Sequence, residues 1–582
     1  MSATEPGQTK NPAKGLETYA LFAIVGVLVL VAAVVWGALT LAGGQDVPAN
    51  PFAAAIMVIT GKLVWSTAAT VWAVAFLVVV AAAICAGFYW WTGRKPARTR
   101  VDSAQQHLGS GKDIASVQRK AVAAKAASLG VDGSVAPSTF TTVEGVPIGR
   151  ELGGGDLLGS WEDMHLDIWG PRQGKSTSRI IPAICEAPGA VLTTENKRGN
   201  LDHTRLVREF RDENGKPTRQ VWVFDPQQVA NEPAWWWWNP LSYVSDEIQA
   251  EELAQLFSVG DDGLEAKKDP YFDPEGEDLL ANLILASALA DEPITTVYER
   301  LVDDNACHDA VTILENHDYP MIARALNARL NLPEKQKAGI FGTSVKMAKC
   351  LRTRAVQQWI TRGSGPQRPH LDLEAYIDNG ETLYCLSKEG VGSTGPLVAA
   401  LTVAATRTAE RIATASPGGR LPVPMLCPLD EAANVVRWPD LPKLYSHFGS
   451  RGIIIMTILQ SWSQGVGVFG ERNMKLLESS SNVYVYGGNV REKEYLANLV
   501  ELCGDFSRQK LSLSESRNGR SSSLSTDDKK IFTIADLQAW PRGRALVLSA
   551  GNRPVIARTV PWMDKPYADL IRASLTEYAP KG

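Results

Sequence analysis

Two long stretches without charge stand near the beginning of the chain, at residues 19–42 and 63–93. Each is longer than the roughly 20 apolar residues that cross the hydrocarbon core of a bilayer. A cleaved signal peptide does not fit the first stretch, because signal peptides carry apolar regions of only about 7–15 residues and end in a small-x-small cleavage site. A buried core helix rarely runs as long as the second stretch. The pattern therefore predicts two membrane-spanning helices.

Basic residues indicate the side of the membrane on which the chain ends lie. The connection between the two stretches offers only Asp46 and Lys62, whereas the second stretch is followed at once by Arg94, Lys95, Arg98 and Arg100. Positive residues concentrate on the cytoplasmic side of membrane proteins. We therefore expect a two-pass protein of the inner or cell membrane, with both termini and the remaining body in the cytoplasm.

After residue 150, short apolar runs alternate with helical stretches, as in a largely parallel α/β sheet. The segment before them, 94–150, is weakly periodic and is predicted to be a linker with one helix near residues 115–129. Eight strands are predicted, at residues 165–169, 190–194, 220–224, 382–386, 423–429, 452–459, 482–486 and 544–549.

The interval between the third and fourth predicted strands has a different character. Residues 245–373 are rich in Leu, Ala, Glu and Lys at helical spacing, which predicts an all-α domain inserted between two strands. Residues 507–530 are rich in Ser and Arg and are predicted to form a mobile loop. The predicted domains are a tail with the membrane anchor (1–93), a linker (94–150), an α/β domain (151–244 and 374–565), the all-α insertion (245–373) and a C-terminal tail (566–582).

Composition and charge limit the choice of partners. The 582 residues include 59 Lys and Arg against 63 Asp and Glu, a formal net charge of -4. This charge excludes a protein that coats nucleic acid through an overall positive charge. Any contact with DNA must therefore come from local basic patches. The seven cysteines form no C-x-x-C pair and suggest no disulfide framework, which favours a reducing compartment.

The strongest local motif is a glycine-containing loop at residues 170–177. It follows the first predicted strand of the body and precedes a helical stretch. In such a loop, backbone N–H groups of small residues surround a phosphate chain, Lys175 reaches the β- and γ-phosphates and Ser176 binds Mg²⁺. Only three residues separate the two glycines where the Walker A pattern has four, and Trp169 occupies the position of the first glycine. The predicted nucleotide-binding residues are Gly170, Pro171, Arg172, Gln173, Gly174, Lys175, Ser176 and Thr177.

A second motif is an apolar strand, 423–429, that ends in Asp430 and Glu431. In a P-loop enzyme the first acid helps to hold Mg²⁺ and the second polarises the attacking water. The alternative is an ordinary strand end with two solvated acids. Pro428 is unusual here, because proline removes a hydrogen-bond donor from what should be a central strand.

Two further residues flank the next predicted strand, 452–459. Gln460 is predicted to sense the γ-phosphate, and the alternative is an amide that caps the following helix. Arg451 is predicted to act as an arginine finger on the nucleotide of a neighbouring subunit, and the alternative is a simple surface arginine. Phosphate loop, acidic strand and sensor strand follow one another in the order of a RecA-like core.

Four consecutive tryptophans occupy positions 235–238, directly before the Asn239-Pro240-Leu241 turn. They are predicted to pack the helical insertion against the sheet. The alternative is stacking on the bases of single-stranded nucleic acid.

Other short motifs follow in a characteristic order along residues 157–561. They are Val223-Phe-Asp-Pro226, Trp238-Asn-Pro-Leu241, Leu429-Asp-Glu-Ala432-Ala-Asn434, Leu441-Pro-Lys-Leu444, Gln460-Ser461-Trp-Ser-Gln464, Tyr486-Gly-Gly-Asn489, Gly543-Arg-Ala-Leu-Val-Leu-Ser549 and Gly551-Asn-Arg-Pro554. With the phosphate loop they resemble the TraG/TraD-type coupling proteins of type IV secretion and bacterial conjugation, relatives of the FtsK/HerA-like ATPases.

The resemblance implies a membrane-anchored ATPase that couples ATP hydrolysis to the transfer of DNA or a DNA–protein complex. It implies ATP and Mg²⁺ as cofactors and an inserted domain that recognises the substrate. Implied partners are DNA bound without sequence preference, a relaxase or effector protein, and components of a type IV secretion channel, with a homo-hexamer as the assembly. Two alternatives stay open: an ATPase that exports protein effectors, and a substrate receptor that binds nucleotide with little turnover.

Overall fold

The computed structural model divides the chain into two units, Met1–Arg98 and Thr99–Gly582. It describes residues 13–93, 99–131, 133–259, 269–388, 394–516 and 519–580. Helices make up the first unit, with bounds α1 (Ala13–Ala42), α2 (Pro51–Ile59) and α3 (Thr67–Gly93).

The helices of the first unit bear on the predicted membrane anchor. In the described part of the chain, no helix combines the length and the apolarity that crossing a membrane requires, so the two predicted spans are not supported there. Three of the basic residues used for the predicted orientation, Arg94, Lys95 and Arg98, lie outside the described residues.

One mixed sheet of eleven strands organises the second unit. Its strand order is β2-β1-β13-β12-β9-β3-β8-β7-β4-β6-β5, and the remaining two strands pair only with each other. The bounds are β1 (Val146–Glu151), β2 (Asp156–Gly159), β3 (His165–Ile168), β4 (Val191–Glu195), β5 (Val221–Phe224), β6 (Thr382–Leu386), β7 (Met425–Leu429), β8 (Ile453–Leu459), β9 (Val483–Tyr486), β10 (Asp505–Ser516), β11 (Gly519–Lys530), β12 (Arg544–Ser549) and β13 (Val555–Arg558).

The strands from β9 to β5 in this order run parallel, whereas β12, β13, β1 and β2 extend the sheet in antiparallel fashion. All residues of β3, β4, β6, β7 and β8 are buried, as expected for parallel strands covered on both faces. All eight predicted strands are confirmed. The carboxyl ends of the parallel strands meet at one edge, which brings together the residues that follow β3, β7 and β8.

Helices join and cover these strands. Their bounds are α4 (Arg119–Ser128), α5 (Ile181–Glu186), α6 (Gly199–Glu209), α7 (Glu247–Val259), α8 (Phe272–Leu289), α9 (Thr295–Val302), α10 (Cys307–Asn316), α11 (Pro320–Leu330), α12 (Glu334–Met347), α13 (Arg354–Ile360), α14 (Leu373–Asp378), α15 (Gly395–Ala415), α16 (Ala432–Val435), α17 (Leu441–Ser450), α18 (Trp462–Ser479), α19 (Lys493–Cys503), α20 (Ile534–Gln538) and α21 (Ala568–Tyr578).

The described residues between β5 and β6 form regular elements of helical type only, in agreement with the predicted all-α character of this segment. The tryptophan run lies where this segment meets the sheet. Trp236 is buried, donates its indole N–H to the Val223 carbonyl (3.2 Å) and packs edge-on against Trp359 of α13. Trp235 stacks on Trp222 of β5 at 5.0 Å. The packing role predicted for these rings is confirmed.

Three segments differ from their predicted form. The predicted linker ends in a sheet strand, β1, because its apolar positions Val146 and Ile148 alternate with less buried residues on an antiparallel strand. The predicted mobile loop is a hairpin, in which β10 and β11 pair over twelve residues each. The predicted C-terminal tail contains α21, whose Ser574 donates a hydrogen bond to the Asp202 carbonyl of α6. The predicted domain bounds themselves stay predictions.

Candidate active site

Residues 170–177, the phosphate loop, leave the end of β3 and enter the helical turn Ser176–Ile180, which continues into α5. Gly174 has left-handed backbone geometry (φ 85°), which glycine adopts without strain. The Thr177 hydroxyl donates a hydrogen bond to the Gly174 carbonyl (3.0 Å) and ties the bend to the first helical residues. The predicted loop conformation, with small residues before a helix amino end, is therefore present.

The shortened first half of the loop has a visible packing cause. Trp169, which stands where the Walker A pattern has its first glycine, is buried with its ring against Gly487. Gly170 donates its N–H to the Gly488 carbonyl (3.0 Å), and a Cβ atom on Gly170 would lie 2.3 Å from the carbonyl oxygen of Asn489. The loop is thus held directly against the chain that follows β9.

Lys175 lies between the two predicted acids, although 255 positions separate it from the nearer one in sequence. Its Nζ atom is 2.6 Å from Oδ1 of Asp430 and 2.9 Å from Oε1 of Glu431. The three side chains are 13%, 5% and 10% exposed, so the charges face one another largely out of water. The alternative of two solvated acids at a strand end is therefore wrong.

Burial and mutual attraction oppose each other in this cluster. Burial raises the pKa of Asp430, the Lys175 ammonium opposes that rise, and the net pKa lies above its usual value. Burial lowers the pKa of Lys175, but the carboxylates of Asp430 and Glu431 more than offset this and the net pKa is raised. The two acids therefore favour the cationic form of Lys175, and the Lys175 charge favours the ionised form of Asp430.

Gln460 joins the same cluster from the end of β8. Its Nε2 atom donates hydrogen bonds to both carboxylate oxygens of Glu431, at 2.8 and 2.7 Å. The helix cap is a different residue, because the Ser461 hydroxyl accepts from the Gln464 N–H at the start of α18. The capping alternative is thus wrong for Gln460, while sensing of a γ-phosphate stays a prediction.

Two further residues of the site, Glu195 and Asn200, are not among the predicted site residues. Glu195 ends β4 beside β7, is buried, and accepts the Asn200 N–H with both oxygens at 2.9 Å. Burial raises its pKa well above the usual value, and the charge of Asp430 adds to that effect. The Asn200 side-chain amide donates to Oδ2 of Asp430 (3.4 Å). The signal that could have identified Glu195 is its position as the acidic residue at the end of a predicted strand.

Pro428 is accommodated without a donor on the β4 side. The pairing of β7 with β4 runs through Leu426 and Leu429 and omits the residues between them. There the Thr193 hydroxyl of β4 donates a hydrogen bond to the Pro428 carbonyl (2.9 Å). A side-chain donor thus satisfies the Pro428 carbonyl, two residues before Asp430.

Arg451 is not brought into the cluster of its own chain. It precedes β8, whereas Gln460 follows the same strand, so the full length of β8 separates them. Its guanidinium donates to the Gly419 carbonyl (2.8 Å). An action of Arg451 on a neighbouring subunit stays a prediction.

The residues predicted to bind Mg²⁺ fit a hard divalent cation by their chemistry. Ser176 supplies a hydroxyl in the first helical turn and Asp430 a buried carboxylate, and Mg²⁺ takes few protein oxygens together with those of phosphates. Within the described residues, no group of three or more His, Cys, Asp or Glu side chains could hold a metal ion by itself.

Known proteins share part of this sequence and its fold. Residues 424–542, which include Asp430, Glu431 and Gln460, match the protein-family model described as the TraM recognition site of TraD and TraG. The predicted resemblance to the TraG/TraD-type coupling proteins is confirmed. No curated protein matches the chain.

Solved structures resemble the chain over most of its length. The trigonal form of the bacterial conjugative coupling protein TrwBdeltaN70 in complex with sulphate has 15% identity and a TM-score of 0.51, covering 70% of this chain and 87% of that one. Its unbound monoclinic form has 16% identity and a TM-score of 0.49, covering 69% and 85%. VirB4 of Thermoanaerobacter pseudethanolicus has 12% identity and a TM-score of 0.43, covering 73% and 98%. The first likeness shows a shared α/β fold.

Replacing Lys175→Met should destabilise the protein by about 3 kcal/mol at neutral pH, because two buried carboxylates lose their counter-ion. The loss raises the pKa of Asp430 further, so protonation relieves the repulsion. The deficit relative to the unchanged chain should therefore shrink as pH falls through that raised pKa. Urea unfolding of the full chain across a pH series measures it. As a control, Lys443→Met removes one partner of an exposed pair with Asp440 and should cost less than about 1 kcal/mol. If both variants lost the same free energy of unfolding, the buried acids would not depend on Lys175 as their counter-ion.

Proposed function

We propose that the chain is a P-loop ATPase of the coupling-protein type. It couples ATP hydrolysis to the movement of DNA, or a DNA–protein complex, towards a type IV secretion or conjugation channel. The observation that carries the proposal is the Lys175–Asp430–Glu431 cluster beside the phosphate loop. The match of residues 424–542 to a TraD and TraG family supports the coupling role.

In this proposal the phosphate chain of ATP lies on residues 170–177. Lys175 exchanges its carboxylate partners for β- and γ-phosphate oxygens, since a phosphate carries more negative charge than either acid. Asp430, no longer paired with the ammonium, is then free to hold Mg²⁺ together with Ser176. When bound, Mg²⁺ neutralises charge that builds up on the phosphate oxygens.

Glu431 and Gln460 act on the attacking water in the same proposal. The Gln460 amide already fixes the Glu431 carboxylate with two hydrogen bonds, so the carboxylate keeps one orientation after Lys175 leaves. A carboxylate in that position accepts a proton from water and directs its oxygen towards the γ-phosphorus. While Lys175 is paired with Glu431, that carboxylate is less able to accept a proton from water.

Assembly and cargo are further parts of the proposal. Subunits would form a homo-hexameric ring in which an arginine of the next subunit, Arg451 in our assignment, completes each nucleotide site. DNA would contact basic groups in the ring interior through its backbone, without sequence preference. The cargo would be a relaxase bound to DNA or, alternatively, an effector protein. Components of the secretion channel would receive this cargo.

Steady-state ATP hydrolysis by the full chain, with and without DNA, tests the site. Glu431→Gln should lower kcat by about 100-fold or more while nucleotide binding persists, because the proton acceptor is lost. Lys175→Ala should lose both binding and hydrolysis. Lys443→Ala, an exposed lysine on α17, serves as the matched control and should hydrolyse ATP like the unchanged chain. Unchanged hydrolysis in either site variant would refute the assignment.

DNA and protein cargo are separated by the salt dependence of binding. With about six phosphate contacts, affinity for DNA of unrelated sequences should fall by roughly 1,000-fold between about 50 and 200 mM salt. Fluorescence anisotropy with the full chain measures this slope. Absence of binding at the lowest salt concentration would favour the exporter of protein effectors. ATP binding without turnover in the presence of DNA would favour the substrate receptor.

The sequence also supports a membrane anchor as a proposal, through the charge-free stretches 19–42 and 63–93 and the basic residues after the second. When the full chain is expressed in a bacterium, it should stay in the membrane fraction after that fraction is washed with carbonate. Protease added outside spheroplasts should leave the body intact until detergent opens the membrane. Extraction by carbonate would contradict the anchor, and cleavage in closed spheroplasts would contradict the cytoplasmic body.

A further inference from the structure

Arg542 approaches the phosphate loop from an element that the proposed mechanism does not use. It precedes β12 by two residues and is exposed. A Cβ atom on Gly174 would lie 3.9 Å from Nε of Arg542. The guanidinium group of Arg542 therefore lies close to the backbone at the bend of the loop. The Thr177 and Ser178 hydroxyls lie 3.3 and 3.7 Å from the same point.

The charges around this bend are not balanced by the protein. Lys175 is neutralised by Asp430 and Glu431. In contrast, neither Arg172 nor Arg542 makes an ion pair or a side-chain hydrogen bond with any residue that the structure describes. The amino end of the helical turn Ser176–Ile180 adds positive potential at the same place. The uncompensated positive charge on this side of the loop therefore favours the binding of an anion.

The backbone on both sides of Arg542 is held in place. The buried Trp540 donates its indole N–H to the Arg544 carbonyl (3.1 Å), and the Arg544 guanidinium pairs with Asp102 at 2.8 Å. Trp540 also packs on Gly488, where a Cβ atom would lie 2.8 Å from it. The Gly488 carbonyl in turn accepts the N–H of Gly170. One continuous set of contacts thus fixes the base of Arg542 relative to the loop.

Sheet order shows which part of a nucleotide Arg542 can reach. β12 lies beyond β9 on one side of β3, whereas β8 and β7, which carry Gln460 and the two acids, lie on the other side. The attacking water must be near Glu431. Arg542 therefore faces the opposite flank of the loop, beside Thr177 and Ser178. If the γ-phosphate points towards Glu431, as the proposed function requires, the phosphates nearer the nucleoside lie on this flank.

We propose that Arg542 binds, in cis, the diphosphate moiety that ADP and ATP share. This inference rests on the proposed nucleotide site and adds a residue to it. Arg542 is then a ground-state binding residue and differs from an arginine finger, which acts on the transition state. A contact that is equal in ground and transition states changes affinity and KM but leaves kcat unaltered.

The test compares binding and turnover in the full chain with Mg²⁺. Arg542→Ala should weaken binding of a fluorescent ADP analogue by about ten-fold, as expected for one lost charge-assisted hydrogen bond. KM for ATP should rise to a similar extent, with kcat within about two-fold of the unchanged chain. Arg542→Lys, which keeps the charge but loses the planar fork, should recover part of the affinity. Arg572→Ala, at an exposed pair with Asp569 on α21, is the matched control and should bind as the unchanged chain does.

Unaltered ADP affinity in Arg542→Ala would overturn the inference alone, since the unchanged chain would still bind nucleotide. A lower kcat with unaltered ADP affinity would also overturn it, in favour of a transition-state role. Absence of ADP and ATP binding by the unchanged chain would overturn the proposed function together with this inference. Because Arg542 is exposed, its removal should leave the thermal unfolding midpoint unaltered, so a loss of affinity reports the contact itself.

Discussion

A lysine ammonium faces two carboxylates at the carboxyl edge of the sheet, with little water around any of the three. The cost of burying Asp430 and Glu431 is met only while a cation stands 2.6–2.9 Å away, and Lys175 supplies it. In the proposed function, the same lysine leaves them when a phosphate chain occupies the loop. The pairing of Lys175 with the two acids thus stabilises the fold, and in the proposed function it is also the interaction that nucleotide binding exchanges.

The rest of the fold serves to hold this arrangement. Parallel strands β3, β8 and β7 lie side by side, so the phosphate loop, Gln460 and the acids end at the same edge although their sequence positions are far apart. The antiparallel strands β12 and β13 extend the sheet beyond β9 and bring Trp540 and Arg542 to the loop from the other flank. The shortened loop is compatible with this frame, because Trp169 fills the position of the missing glycine and packs on Gly487.

Much of this could be predicted because buried parallel strands carry continuous apolar runs and each is followed by a polar functional residue. Lys175, Asp430, Glu431 and Gln460 were identified in this way, and the structure brings them together. Strand β1 was missed because Pro147, Gly149 and Arg150 interrupt its apolar pattern on an antiparallel strand. The β10–β11 pair was missed because residues 507–530 carry few large apolar residues, so its pairing leaves little hydrophobic pattern in the sequence. Glu195 and Arg542 belong to no motif, so only the order of strands in the sheet reveals their proximity to the loop.

In the proposed function, Lys175 changes partners when nucleotide binds. A structure of the full chain with Mg²⁺ and a non-hydrolysable ATP analogue measures this directly. We expect Nζ of Lys175 to move from Asp430 and Glu431 to within hydrogen-bond distance of β- and γ-phosphate oxygens, while Gln460 keeps its bonds to Glu431. A bound analogue with Lys175 still between the two carboxylates would contradict it.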